Sequence, residues 1–181
     1  MKKLMLPDFF QASEVPIVHK FYRNYFKDCY VCGDVDYIFG PNTAFFDHCE
    51  IHSIARVSEG KAYITAASTP AGQEFGLVFS HCRITGEEPD SVYLGRPWRD
   101  CAKTAFICCE LGDHICPEGW QNWGKVRAEV LSDYIEYGNF GPGADCSGRS
   151  PLSRCLVNPE VETYFSKENV LVGEDGWIPA E

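Results

Sequence analysis

The chain has 181 residues, 45% of them hydrophobic and 23% charged, so it can bury one real core and is too apolar to be disordered. Asp and Glu number 26 against 16 Lys and Arg, and the net charge of −10 argues against nucleic acid and anionic membrane surfaces as partners. No apolar run approaches the ~18–20 residues of a spanning helix. The opening Met1-Lys2-Lys3-Leu4-Met5-Leu6 begins like a signal peptide, but Pro7 and Asp8 end the apolar run before a signal core of ~7–15 residues forms. As written the chain is expected in the cytoplasm, or secreted if its natural start lies upstream. Residues 1–20 carry no repeat, and Pro7 and Pro16 favour loop there.

From residue 26 onward one pattern recurs: Phe26-x-x-Cys29-x-Val31, Phe46-x-x-Cys49-x-Ile51, Phe79-x-x-Cys82-x-Ile84 and Phe106-x-x-Cys109-x-Leu111. The cysteines are spaced by 20, 33 and 27 residues, a period that implies stacked supersecondary units. In an extended strand Cys and the aliphatic residue point to one face, with Tyr30, Glu50, Arg83 and Glu110 between them. Segments rich in Phe, Tyr, Val, Ile and Thr and punctuated by Gly disfavour helical repeats. The expected fold is all-β, a right-handed parallel β-helix whose Phe and Cys positions form interior columns. Ten cysteines fall below the density of a disulfide scaffold, and most are expected to be reduced and buried. Cys29-x-x-Cys32 has zinc-like spacing but lacks a second knuckle.

From Asn139 the sequence becomes turn-rich, and residues 139–181 read as a C-terminal tail of a single domain, 1–181. Asn158-Pro159-Glu160 opens a short helix through about Ser166, with Pro at its first position. Such a tail would cap the exposed last coil.

Two segments hold chemistry. Gly33-Asp34-Val35-Asp36-Tyr37-Ile38-Phe39-Gly40 sets two acids in an apolar strand, and period-2 alternation puts Asp34 and Asp36 on one face. Asp34 suits bonding to turn amides, whereas an acid between Val35 and Tyr37 needs a partner and points to function at Asp36. In Tyr93-Leu94-Gly95-Arg96-Pro97-Trp98-Arg99, Pro97 holds Arg96 extended, so Arg96 and Trp98 point to one side. A guanidinium beside an indole suits a sugar carboxylate or ester; a core Trp with a surface Arg is the equal alternative.

These segments, with Tyr63-Ile64-Thr65-Ala66-Ala67-Ser68, Asp113-His114-Ile115, Glu118-Gly119-Trp120, Gly141-Pro142-Gly143-Ala144 and Gly176-Trp177-Ile178-Pro179, resemble the pectin methylesterase family from about Phe21 to the end. The resemblance implies a parallel β-helix and an aspartyl esterase that removes methyl groups from the C6 ester of galacturonate in pectin, with methyl-esterified pectin as partner. It maps the nucleophile to Asp36, the arginine that holds it to Arg96, a substrate-stacking residue to Trp98 and a sugar contact to Phe39. It implies no metal or organic cofactor and a monomer when complete. The family's Gln-Asp-Thr-Leu motif, which carries the general acid, has no counterpart, since the chain contains no Gln-Asp pair. The chain therefore reads as the C-terminal part of a catalytic domain, weakly active or inactive by itself. A non-catalytic pectin-binding remnant is the alternative. A β-helical polysaccharide lyase would want more calcium ligands than Asp34 and Asp36.

Overall fold

The computed structural model describes residues 22–173, 175–177 and 179. The first coil runs β1 (Arg23–Lys27), β2 (Tyr30–Gly33) and β3 (Val35–Gly40). The second is β4 (Thr43–Asp47), β5 (Glu50–Ser53) and β6 (Ala62–Ala67), and the third is β7 (Leu77–Ser80), β8 (Arg83–Gly86) and β9 (Val92–Gly95). A fourth keeps β10 (Lys103–Ile107) and β11 (Glu110–Leu111), its third side reduced to single bridges at Ile115 and Trp120. The helical turn α1 (Ala128–Leu131), β12 (Asp133–Tyr137), β13 (Ser153–Leu156), α2 (Glu160–Tyr164) and α3 (Lys167–Leu171) complete the order. Each of the first three coils gives one strand to each of three parallel sheets, ordered β1-β4-β7-β10-β12-β13, β2-β5-β8-β11 and β3-β6-β9. This is the parallel β-helix that the repeat implies.

The repeat is a corner, not one strand. Its Phe lies in the first sheet and its aliphatic residue in the second. Between them Asp28, His48, His81 and Cys108 adopt left-handed backbone, with φ of 52, 51, 53 and 53°. Each Cys stands one residue before its second-sheet strand and faces inward. Cys49, Cys82 and Cys109 are buried and Cys29 is half-buried; all four are free thiols. The thiols of Cys49, Cys82 and Cys109 donate to the carbonyls of Phe26, Phe46 and Phe79 one coil earlier, at 3.3–3.4 Å. In-register pairing stacks Phe26, Phe46, Phe79 and Phe106 with ring centroids 4.7, 4.6 and 4.5 Å apart. Val31, Ile51, Ile84 and Leu111 form the facing column.

The tail differs from its expectation in three ways. Ser153–Leu156 extends the first sheet by a strand, because residues 134–137 offer it a free edge to pair with. The single helix is instead two. Pro159 leads into α2 with helical φ of −62° while Asn158 Oδ1 accepts from Glu160 N, and the Ser166 side chain caps α3 by accepting from Asn169 N. The helices do not cover the last coil. Val161, Phe165, Val170 and Leu171 pack with Phe45, Val78, Ala105, Ile107 and Ile135 on the outer face of the first sheet. Cys146 and Cys155 form a disulfide, so eight cysteines remain free. The loop expected over residues 1–20 lies outside the described residues. No described helix is long and apolar enough to cross a membrane.

Candidate active site

Asp36 is aimed by a break in its own strand. Pairing of β3 with β6 shifts between Val35 and Ile38, and Asp36 sits in the shift with φ of 48°. A bulge of this kind re-aims a side chain. Tyr37 takes the inward place, its hydroxyl 2.9 Å from Ser53 Oγ, and Gly33 gives it room, since any Cβ there would overlap the Tyr37 side chain. The period-2 alternation that would put Asp34 and Asp36 on one face therefore does not hold. Asp34 spends its Oδ1 on Val35 N at 2.9 Å, the turn role open to it.

Arg96 follows β9, two coils beyond Asp36. Gly95 lets this segment close on β6, because a Cβ at that position would overlap Thr65 Oγ1. Arg96 N then donates to Thr65 O at 3.0 Å and fixes the base of the side chain. The guanidinium reaches back across the second coil, donating from Nε to Asp36 Oδ1 at 2.9 Å and from Nη2 to Oδ2 at 2.6 Å. The pair is mostly buried, with 16% of the Arg96 and 24% of the Asp36 side chain exposed.

The indole that stacks on Arg96 is Trp123, not Trp98. The guanidinium carbon lies 3.7 Å from the Trp123 ring centroid on one side and 3.9 Å from that of Tyr63 on the other. Trp98, 39% exposed, meets Phe39 edge-on at 5.4 Å, so those two side chains form an aromatic wall two to three residues along from the ion pair. Lys125 ties the loop of Trp123 to this wall, donating from Nζ to Pro97 O at 2.6 Å and Trp98 O at 2.8 Å. Burial, then the nearby Arg99, pushes the Lys125 ammonium below its ordinary pKa. Tyr63, Trp123 and Lys125 were not singled out from sequence. A Trp amid Gln121-Asn122-Trp123-Gly124, a turn with no core to fill, was the available signal. The arrangement offers a carboxylate oriented by a planar cation, about a quarter of it open to solvent, beside exposed aromatic faces.

The pectinesterase family model matches residues 12–174. Pectinesterase 31 of Arabidopsis thaliana is 40% identical over 140 residues, which is 76% of this chain and 43% of that protein. Among solved structures, the pectin methylesterase from carrot aligns with a TM-score of 0.75 and 30% identity, over 82% of this chain and 50% of its own. A pectin methylesterase in complex with a hexasaccharide aligns at 0.71 with 28% identity, over 87% of this chain and 53% of its own. The chain thus spans about half the length of the proteins it matches or less. A match running through every described coil leaves one assignment: this chain belongs to the pectinesterase family.

Proposed function

We propose that the chain carries the nucleophile and the aromatic sugar contacts of a pectin methyl-ester hydrolase. The observation that supports this most directly is the Asp36–Arg96 fork, a carboxylate kept in one orientation and left partly open. An Asp36 oxygen attacks the carbonyl carbon of the C6 methyl ester, and the electron pair moves to the carbonyl oxygen. Collapse of that tetrahedral oxyanion breaks the bond to methoxide, which leaves as methanol on taking a proton. Water then cleaves the resulting anhydride, freeing the galacturonate carboxylate and restoring Asp36. Arg96 keeps the nucleophile in line and sets positive charge near the oxyanion. Trp98 and Phe39 stack against the C–H faces of the sugar rings. The Cys146–Cys155 disulfide favours an oxidising compartment, where a secreted polysaccharide would be met, over the cytoplasm.

The test combines methanol release from methylated pectin with fluorescence titration by methylated oligogalacturonides. Asp36→Asn should abolish any release while leaving the titration intact, and Trp98→Ala should weaken the titration. Release that survives Asp36→Asn would reject the nucleophile assignment.

A further inference from the structure

On the flank away from the aromatic cleft, three metal-ligating side chains from three elements converge. The ligand atoms of His81, Cys108 and Glu162 all lie within 4.8 Å of one another. Stacking of coils sets this up. His81 and Cys108 are the same left-handed corner residue on successive coils, following β7 and β10, which pair in register through Ser80 and Ile107. Helix α2 brings Glu162 to the same point because Tyr164 and the following Phe165 pack against Phe75.

The surroundings suit a cation. Ser80 Oγ lies 2.9 Å from His81 Nδ1, an outer partner that fixes the ring and leaves Nε2 for the cluster. Nε2 stands 3.8 Å from Glu162 Oε1, too far for a hydrogen bond. Zinc bonds of about 2.0–2.2 Å to nitrogen and oxygen in a tetrahedron separate the two atoms by roughly 3.3–3.5 Å, so the imidazole and carboxylate need to close by only about 0.3–0.5 Å to reach ligand spacing. Gly138 keeps the flank of the thiol open, since a Cβ there would come within 3.0 Å of Cys108 Sγ. Among the described residues His81 is the ion-pair partner of Glu162, so no fixed cation fills the gap.

Two other clusters lack these features. In one, of Glu136, Cys146 and Cys155, the sulfurs are spent in the disulfide. In the other, of Asp90, Cys116 and Glu118, Lys61 already stands 2.8 Å from Asp90 and 3.9 Å from Glu118.

We propose that His81 Nε2, Cys108 Sγ and a Glu162 carboxylate oxygen form a Zn²⁺ site that clips α2 to the corner column of the β-helix. The mixed nitrogen, sulfur and oxygen set matches Zn²⁺ rather than Mg²⁺ or Ca²⁺, which want oxygen alone. On binding, the Cys108 thiol releases its proton to solvent, three lone pairs go to the metal, and water takes the fourth position. The site lies apart from Asp36 and Arg96 and does not depend on the proposed esterase reaction.

Co²⁺ serves as the optical probe and Zn²⁺ as the stabilising ion, both with the full chain in anaerobic buffer without thiol reductant after chelation, so that the Cys146–Cys155 disulfide stays intact. One equivalent of Co²⁺ should give thiolate charge-transfer absorption in the near-ultraviolet, and Zn²⁺ should raise the melting temperature. Cys108→Ser should abolish the absorption. His81→Ala and Glu162→Gln should weaken binding by more than the ~10–100-fold that an outer-partner change costs. In chelator all three variants should melt with the wild type, which separates lost binding from lost folding. No absorption band with the wild type would overturn the proposal. So would a band and a Zn²⁺ shift undiminished in Cys108→Ser, which would assign the metal to the other free thiols.

Discussion

Replacing Arg96 by Gln removes the fork from Asp36 and empties the slot between Tyr63 and Trp123. A fully buried pair broken on one side costs about 3–5 kcal/mol, and an exposed pair is worth about 0.2–1. With 16% and 24% of the two side chains exposed, the pair belongs between these limits, at about 2 kcal/mol. The ring contacts at 3.7 and 3.9 Å add about 0.5 kcal/mol each. Arg96→Gln should therefore destabilise by about 3 kcal/mol in urea unfolding. Asp36→Asn should cost less, because it leaves the guanidinium in its aromatic slot. The double-mutant cycle isolates the charge pair and should return a coupling of about 2 kcal/mol. Arg96→Lys should recover less than half, since an ammonium has neither the fork nor the flat face. A coupling below about 0.5 kcal/mol would refute the claim that Arg96 is the main partner of Asp36.

Glu136 and Arg149 are almost fully buried, joined at 2.9 Å with Trp120 Nε1 also donating to Glu136, and Arg149→Met should cost about 3–5 kcal/mol in urea unfolding. Phe79→Ala, at the centre of the ring column with no exposed surface, should cost a similar amount, and a loss under 1 kcal/mol would show that the column relaxes around the gap. His114 is buried with both ring nitrogens unpartnered among the described residues, and burial depresses its pKa from 6.5 to about 4. Its folded form resists protonation, so stability should be flat above pH ~6.5 and fall by up to about 3 kcal/mol as pH drops toward 4; His114→Leu should flatten that slope. Lys125→Met should leave global stability within about 1 kcal/mol but weaken oligogalacturonide binding, by freeing the Trp123 loop from Pro97 and Trp98.

The solenoid was legible because stacking imposes the same inward residue on every coil, and a Phe column and an aliphatic column appear in sequence as a repeat. The corner between them was not, because period-2 reasoning cannot tell one strand from two strands joined by a left-handed residue. A local signal existed. Three of the four corner positions are Asp28, His48 and His81, and Asp and His are residue types enriched in left-handed backbone. The placement of the tail carried no such signal. Val161, Phe165, Val170 and Leu171 announce an apolar face, but nothing local distinguishes the end of a solenoid from its flank.

At the site, the residues that broke a local rule were the legible ones, since an acid in an apolar strand and an Arg before Pro both need a reason. Tyr63 was hidden because a Tyr in a strand needs none. Its role follows from the coil geometry. Asp36 and Tyr63 lie on β3 and β6 and Arg96 just past β9, the three neighbouring strands of the third sheet, and stacked strands are about 4.8 Å apart, so Arg96 must cross nearly 10 Å of rung spacing to reach Asp36. A side chain that long gains little from a charge pair if it stays mobile, because ordering it costs about 2 kcal/mol. The ring of Tyr63 below and of Trp123 above confine it along that path, and the fork fixes its end. The same fork keeps Asp36 in left-handed backbone, which costs an L-residue roughly 1–2 kcal/mol and persists only where its surroundings over-determine it. The strain at Asp36 and the ordering of Arg96 are both costs, and the fork and the two ring contacts together offset them, so neither residue holds its geometry alone.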